Sequence, residues 1–283
     1  MQGLVLEGGS MRPIFSSGVM DALLDEDVYF PYVIGVSAGI TDGVSYVSKQ
    51  RMRNYDITVG YRNDKRYFGV HHFLTDKSIF GLKFLYEDMP QRIIPFDFDT
   101  YFSSGVKVRV GVTNALTGDA EYLDGNMLDD KSTILKATCA QPILFPEIKI
   151  NGIPYYDGGI SDSIPAKKAL DDGCSKLLII LTRPVGYQKK LGDPKMEIVA
   201  KAMKAKYPNL SKSLRNRNAM YNEQIKYCES LEAQGKAVII RPDVDKMINS
   251  LEDNSDNLAA FYHHGYDLAM SKMHEIKMLF KEE

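Results

Sequence analysis

The stretch Gly35-Val36-Ser37-Ala38-Gly39 has the residue types and spacing of a nucleophile elbow, a sharp turn that presents a reactive serine. An apolar run at residues 32–34 precedes it, and a segment suited to a helix follows it. The serine of such a turn sits in a strained backbone conformation, and we expect its neighbours two positions away to crowd each other. Glycine at both places removes the clashing Cβ atoms. The pattern therefore predicts that Ser37 is a nucleophile.

A serine nucleophile needs a base to take its proton, and the usual base is a histidine that a carboxylate holds in place. None of the five histidines stands in a turn rich in glycine or proline after a strand; they are His71, His72, His263, His264 and His274. Asp157 is better placed because it ends a predicted hairpin, and Gly158 and Gly159 after it permit a tight turn. A Ser-Asp dyad with a carboxylate base is the leading hypothesis. An ordinary Asp-Gly turn and a Ser-His enzyme using His263 or His264 remain alternatives.

A glycine turn near the N-terminus could stabilise negative charge. Gly8-Gly9-Ser10-Met11-Arg12 follows the first predicted strand, and free backbone N–H groups in such a turn can face an anion or a developing oxyanion. The same turn could instead hold a nucleotide phosphate. It lacks the final glycine of the dinucleotide motif and the Lys-Ser/Thr pair of a P-loop, so nucleotide binding is the weaker hypothesis.

The predicted elements alternate between strands and helices, which is typical of an α/β protein with a largely parallel sheet. Strands are predicted at residues 3–7, 32–34, 106–113, 120–123, 147–150, 153–156, 177–182 and 237–241. Helices are predicted at residues 17–25, 38–46, 129–140 and 164–172, at two segments within 193–233 that break near Pro208, and at 255–281. Residues 50–100 are less regular, and we expect short helices and long loops that cover a pocket.

Composition limits the possible functions. The 283 residues suffice for a large core, and a net charge of −2 with 25% charged residues gives no reason to expect a nucleic-acid partner. The three cysteines (Cys139, Cys174 and Cys228) lack the spacing of metal ligands, so we expect no metal and no cofactor. The N-terminus has no signal-peptide pattern, and the longest apolar run is too short to span a bilayer. We expect a cytoplasmic protein whose contact with a membrane, if any, is peripheral.

Basic residues are concentrated between positions 189 and 217: Lys189, Lys190, Lys195, Lys201, Lys204, Lys206, Lys212, Arg215 and Arg217. A solvated helix face explains such a stretch. Contact with the anionic headgroups of a membrane surface is the alternative, since each nearby Lys or Arg contributes about 1 kcal/mol there. The sequence leaves both interpretations open.

Four blocks in fixed order resemble the patatin-like phospholipase family, in particular its bacterial members. They are Gly8-Gly9-Ser10-Met11-Arg12, the elbow, Ala137-Thr138-Cys139-Ala140-Gln141-Pro142 leading to Phe145-Pro146, and Asp157-Gly158-Gly159. The similarity covers about residues 3–184. We therefore expect one domain over residues 1–283, with the core motifs in 3–184 and an extension of helices and a strand in 185–283.

The resemblance implies a three-layer α/β/α sandwich with a mostly parallel sheet and additional C-terminal helices. It implies hydrolysis of lipid acyl esters, as by a phospholipase A, without a metal. By position, Ser37 matches the family's nucleophile and Asp157 its base. Gly8, Gly9 and Ser10 match the oxyanion turn, and Arg12 matches the basic residue that supports it. An α/β hydrolase or acyltransferase of the Ser-His type, or a catalytically weak lipid-binding relative, remains an alternative.

Two positions depart from the family pattern, which usually has glycine where Ser10 and Pro13 stand. Ser10 keeps its N–H group, so an oxyanion hole survives if the backbone there does not require a positive φ. Pro13 has no N–H group and a restricted φ, which predicts a reshaped turn just past Arg12. Neither departure affects the proposed dyad.

Overall fold

One sheet runs through the protein, as seen in a computed structural model that describes residues 1–281. Its eight strands in this range are β1 (Gln2–Leu6), β2 (Tyr32–Val36), β3 (Lys107–Asn114), β4 (Ala120–Asp124), β5 (Ile148–Ile150), β6 (Ile153–Asp157), β7 (Lys176–Ile180) and β8 (Ala237–Ile240). They lie in the order β5-β6-β3-β2-β1-β7-β8, and β4 pairs with β3 off this path. Each strand overlaps a segment in which the sequence predicts one.

The middle of the sheet is parallel. Strands β3, β2, β1, β7 and β8 run in one direction, while β4, β5 and β6 form antiparallel pairs. In β1, Leu4 and Leu6 pack on one face and Val5 on the other, and all three are fully buried. Parallel strands are apolar on both faces because helices cover both. The predicted mostly parallel sheet is confirmed.

Helices cover both faces of the sheet. The α-helices are α1 (Ile14–Asp25), α2 (Ser37–Val47), α3 (Arg53–Thr58), α4 (His72–Thr75), α5 (Phe98–Ser103), α6 (Thr133–Cys139), α7 (Ala166–Asp171), α8 (Pro194–Met203), α9 (Pro208–Ala233), α10 (Ser255–Ser271) and α11 (Met273–Met278). Helices α1, α2 and α10 pack on the face of Leu4, and α7 and α9 pack on the face of Val5. The result is the three-layer α/β/α sandwich that the sequence predicts.

The C-terminal third of the chain completes both outer layers. Strand β8 extends the sheet beside β7, and α9 and α10 lie on opposite faces. Helix α10 packs closely on α1: a Cβ on Gly18 would lie 2.0 Å from Tyr262 O, and one on Gly265 would lie 2.1 Å from Phe15 O. Glycine is required at both positions because the two helix backbones meet there.

Some predicted helices have different bounds in the structure. The helix expected from residue 129 starts at Thr133, because Ser132 takes a left-handed conformation with φ of 51°. Asp129 Oδ1 accepts a hydrogen bond from the first amide of the helix, Thr133 N, at 2.7 Å. The helix expected at 255–281 is interrupted at Lys272, between α10 and α11. Among the described helices, none is both long and apolar enough to cross a bilayer.

Residues 50–100 form α3, α4, a π-helix at Phe84–Ile93 and α5, joined by loops. Pro90 lies inside the π-helix and has no N–H group to donate to it. The segment packs against the face of the sheet that carries α1 and α2. This placement matches the expected cover over a pocket.

Candidate active site

Ser37 lies where β2 ends and α2 begins. Val36 is extended (φ −133°, ψ 153°), and Ser37 turns sharply into a left-handed conformation with φ of 53°. Such a conformation costs a residue with a side chain roughly 1–2 kcal/mol, so surrounding contacts must hold it. The side chain is 7% exposed and lines a pocket. The backbone thus has the strained geometry that the elbow pattern predicts.

The two glycines of the elbow are needed because β1 runs alongside. A Cβ on Gly35 would lie 2.8 Å from Leu6 O, and a Cβ on Gly39 would lie 2.4 Å from Glu7 O. The elbow pattern predicts that these two positions crowd each other. Instead, the nearest atoms that crowd them belong to β1 and the residue after it. The reason is that β1 and β2 pair in parallel and bring Leu6 opposite Gly35.

Thr138, on α6, holds the strained backbone of the serine. Its Oγ1 accepts a hydrogen bond from Ser37 N at 2.8 Å and donates one to Gly111 O at 2.5 Å. The side chain is fully buried. Sequence reasoning assigned no role to Thr138 although it lies in one of the quoted blocks, because a threonine in a short helix has no local signal of such a contact.

Asp157 is the hydrogen-bond partner of the serine hydroxyl. Ser37 Oγ donates to Asp157 Oδ2 at 2.8 Å, and Gly159 N donates to Asp157 Oδ1 at 2.8 Å. The aspartate is 3% exposed. Burial raises its pKa, and the charge of Arg217 and the bond from Ser37 oppose this effect. A buried carboxylate with a raised pKa is a stronger base than an exposed one.

The position of Asp157 is set by the sheet. It is the last residue of β6 and pairs with Val112 of β3, which in turn lies beside β2. Gly158 follows in close contact with β3, since a Cβ there would lie 2.2 Å from Gly111 O. The ends of β2 and β6 therefore bring together two side chains that are 120 residues apart in the sequence.

The turn after β1 lies against the serine. A Cβ on Gly8 would lie 2.8 Å from Ser37 Cβ, and Gly9 has φ of 155°. Ser10 has φ of 59°, so the backbone takes the positive φ that suits the family's usual glycine, and the condition stated for serine from the sequence is not met. Serine adopts this conformation at a cost of roughly 1–2 kcal/mol and keeps its N–H group. Within residues 1–281, no protein group accepts a hydrogen bond from the amides of Gly8, Gly9 or Ser10. These three amides therefore have no acceptor among the described residues.

The next two amides of the turn, those of Met11 and Arg12, donate hydrogen bonds to protein carbonyl groups. Met11 N donates to Ser250 O at 3.1 Å, and Arg12 N donates to Gly9 O at 3.2 Å. The backbone of Arg12 is therefore occupied, and its half-buried guanidinium lies beside Gly9. Pro13 has φ of −59° and precedes the first residue of α1. Proline fits this place because its φ is suited to a helix start and its missing N–H group would have no partner there.

An apolar pocket opens at Ser37 and Ser10. It lies on the side of the sheet covered by α1 and α2. Residues 50–100 and α6 supply about half of its wall, including Ile57, Phe80, Tyr86, Phe96 and Leu135. Asp42 and Arg53 add charged groups to the lining. A long, mostly apolar lining suits a hydrocarbon chain, since burial of apolar surface drives its binding.

The histidines lie elsewhere, and none of the five is part of the wall of this pocket. His264 Nε2 accepts a hydrogen bond from Asp243 N at 3.1 Å, and its ring packs on Phe15. His263 contacts Tyr55 on the outer side of α10. His71 and His72 stack on each other in the irregular segment. The structure brings Ser37 to Asp157 and to no histidine.

Comparison with known proteins places this geometry in a family. The model of the patatin-like phospholipase family matches residues 4–170, which is more than half of the chain and includes Ser37 and Asp157. The chain belongs to the patatin-like phospholipase family. A second model, for a domain of unknown function (DUF6363), matches residues 207–281, from α9 to the end of the described chain.

Two individual proteins resemble this patatin-like chain. The uncharacterized protein YjjU of Escherichia coli K12 is 28% identical over 189 residues, or 64% of this chain and 52% of YjjU. The chain thus spans about half the length of that relative. The crystal structure of VipD from Legionella pneumophila matches 95% of this chain and 66% of its own, with a TM-score of 0.52 and 14% identity. The likeness to VipD concerns the fold alone.

Proposed function

We propose that the protein is a serine-dependent hydrolase of lipid acyl esters. Ser37 is the nucleophile, Asp157 the base, and the amides of Gly8, Gly9 and Ser10 form the oxyanion hole. The observation that carries the proposal is the 2.8 Å hydrogen bond between Ser37 Oγ and Asp157 Oδ2, with Ser37 in the wall of an apolar pocket. Family membership adds support, because patatin-like phospholipases are named for this chemistry.

The mechanism is acyl transfer in two steps. Ser37 Oγ attacks the ester carbonyl carbon while its proton passes to Asp157. The negative charge on the carbonyl oxygen is stabilised by the free amides of the glycine turn, each worth about 3 kcal/mol in typical sites. The intermediate then expels the alcohol, which takes the proton from Asp157. Water attacks the acyl-enzyme and gives a proton to Asp157. Asp157 then returns this proton to Ser37 Oγ as the bond between the acyl carbon and the serine breaks, which releases the fatty acid and restores Ser37 and the carboxylate.

Labelling with a fluorophosphonate tests the proposal, because this probe reacts with activated serine nucleophiles. We expect labelling of the wild type, none of Ser37→Ala, and a rate at least about 100-fold lower for Asp157→Asn. Ester hydrolysis should fall in parallel. Labelling that persists in Ser37→Ala, or an unlabelled wild type, would refute the serine mechanism.

A His263→Gln/His264→Gln double variant serves as the matched control. Both rings lie away from the pocket, so we expect its labelling rate and ester hydrolysis to equal those of the wild type. Loss of both activities in a variant that keeps its circular dichroism spectrum would instead favour the Ser-His alternative.

A further inference from the structure

Four basic side chains meet on the other side of the glycine turn from the apolar pocket. Arg12 follows β1, Arg183 and Lys189 follow β7, and Arg217 lies on α9. Their charges act on one another across these separate segments of the chain. We call these four residues the basic cluster. In α/β sheets, the carboxyl ends of adjacent strands are where ligands usually bind.

The cluster is half-buried, and protein groups satisfy only part of it. The Nε atoms of Arg12 and Arg183 are buried and have no hydrogen-bond partner within residues 1–281. Lys189 Nζ lies 3.7 Å above the ring of Tyr221, and Arg183 lies 4.2 Å from the ring of Tyr187. Stacking on aromatic rings orients the cations but leaves their N–H donors available for a ligand.

The charges in the cluster are unbalanced. Glu7 is the carboxylate that acts on both Arg12 and Lys189, and its Oε2 already accepts a hydrogen bond from Thr182 N at 2.6 Å. Burial and the charge of Arg183 lower the pKa of Arg12 to about 10. Burial and neighbouring cations, Arg217 first, lower the pKa of Lys189 well below its usual range. Arg217 also interacts with Asp157, so four basic groups face two carboxylates and form a site that an anion would stabilise.

The cluster adjoins the reacting groups. A Cβ on Gly9 would lie 3.3 Å from Arg12 Nε, and a Cβ on Gly8 would lie 3.6 Å from Ser37 Oγ, so one turn separates the serine from the cluster. Arg217 Nε donates to Gly159 O at 2.8 Å, next to Asp157. When an ester binds at Ser37 with its acyl chain in the pocket, its alcohol part lies away from the pocket, on the side of the glycine turn where the basic cluster is.

We propose that the basic cluster binds the phosphate of the alcohol part, so that the substrate is a glycerophospholipid with an anionic headgroup and not a neutral acylglycerol. This inference rests on the proposed function. An anionic headgroup is preferred to a zwitterionic one, because the ammonium of a zwitterion would meet the same four basic groups. Lys189 and Arg217 of the basic stretch thus serve the site, whereas Lys190, Lys195 and most others of that stretch are exposed.

The test compares monomeric short-chain substrates: dihexanoyl phosphatidic acid, dihexanoyl phosphatidylcholine and dihexanoylglycerol. We expect the wild type to have its highest kcat/KM on the phosphatidic acid. In Arg183→Gln/Lys189→Gln, the ratio of kcat/KM between phosphatidic acid and dihexanoylglycerol should fall about tenfold or more, mainly through KM. The matched control Lys190→Gln/Lys195→Gln removes two exposed charges from the same region and should keep the wild-type ratio. An unchanged ratio in the first variant, or an equal fall in both, would overturn the proposal.

Calorimetric titration with inorganic phosphate distinguishes a failure of the headgroup assignment from a failure of the proposed hydrolase function. Binding to the wild type that the Arg183→Gln/Lys189→Gln variant loses, together with the substrate preference, supports the headgroup site. The same binding without any preference for phosphate-bearing lipid would show a site for free phosphate and overturn the headgroup assignment. If the wild type hydrolyses none of the three esters but binds phosphate through the cluster, the proposed function fails and the anion site remains. No phosphate binding and no preference would refute the cluster itself.

Discussion

The substitution Thr138→Val should both destabilise the protein and slow the reaction of Ser37. Valine has nearly the shape of threonine but has a methyl group in place of the hydroxyl. That hydroxyl accepts from Ser37 N at 2.8 Å and donates to Gly111 O at 2.5 Å, at a fully buried position. The variant therefore leaves the serine amide without this acceptor, at a residue whose φ of 53° is already strained.

The size of the effect follows from these two bonds. A buried polar group that loses its partner costs about 1–3 kcal/mol, and two groups are affected. We expect the free energy of unfolding to fall by about 2–6 kcal/mol. A loss of about 1.4 kcal/mol in the positioning of Ser37 Oγ would slow fluorophosphonate labelling about tenfold. Both effects have one cause, so they should appear together.

Urea denaturation and labelling rates measure the two effects, with Thr138→Ser as the matched control. Serine keeps the hydroxyl and loses a methyl group, which costs about 1 kcal/mol in a core. We expect Thr138→Ser to label at nearly the wild-type rate, and Thr138→Val to be the less stable and the slower of the two. If the valine variant is as stable as the serine variant and labels as fast, the Ser37–Thr138 bond does not support the elbow.

Two further predictions concern stability. Gly39→Ala places a Cβ 2.4 Å from Glu7 O, so β1 or the elbow must move. The free energy of unfolding, measured in urea, should therefore fall by about 2 kcal/mol or more. A fall below about 0.5 kcal/mol would contradict this packing. Burial raises the pKa of Asp42 to about 7 in the folded state, so the free energy of unfolding of the wild type should decrease as pH rises from about 4 to 7. Asp42→Asn cannot ionise, and we expect it to gain up to about 4 kcal/mol relative to the wild type between pH 4 and pH 8, as measured by urea denaturation across that range. Parallel pH profiles of the two proteins would refute the assignment.

Much of the fold was predictable because the sheet is buried on both sides. Short apolar runs such as residues 177–181 fit a strand that helices cover on both faces, and the structure has β7 there. Helix bounds were less predictable. The break at Ser132 and the one at Lys272 depend on backbone conformations that several residue types can adopt, so composition gives no clear signal.

The sequence by itself determined which side chains could react. Ser37 and Asp157 each stand beside glycines at a sharp turn after a strand. Neighbouring strands leave no room for a Cβ at those glycines, and this requirement leaves a pattern in the sequence. The same holds for Gly8 and Gly9. The structure then places Ser37 Oγ 2.8 Å from Asp157 Oδ2.

The surroundings of these groups depend on the tertiary structure. Thr138 lies 101 positions from the amide whose hydrogen bond it accepts, Arg183 acts on Arg12 from a segment after β7, and Arg217 donates to Gly159 O from α9. Their roles depend on strand order and on helix packing against the sheet. A threonine or an arginine needs no special backbone conformation to make such contacts, so its neighbours in the sequence carry no record of them.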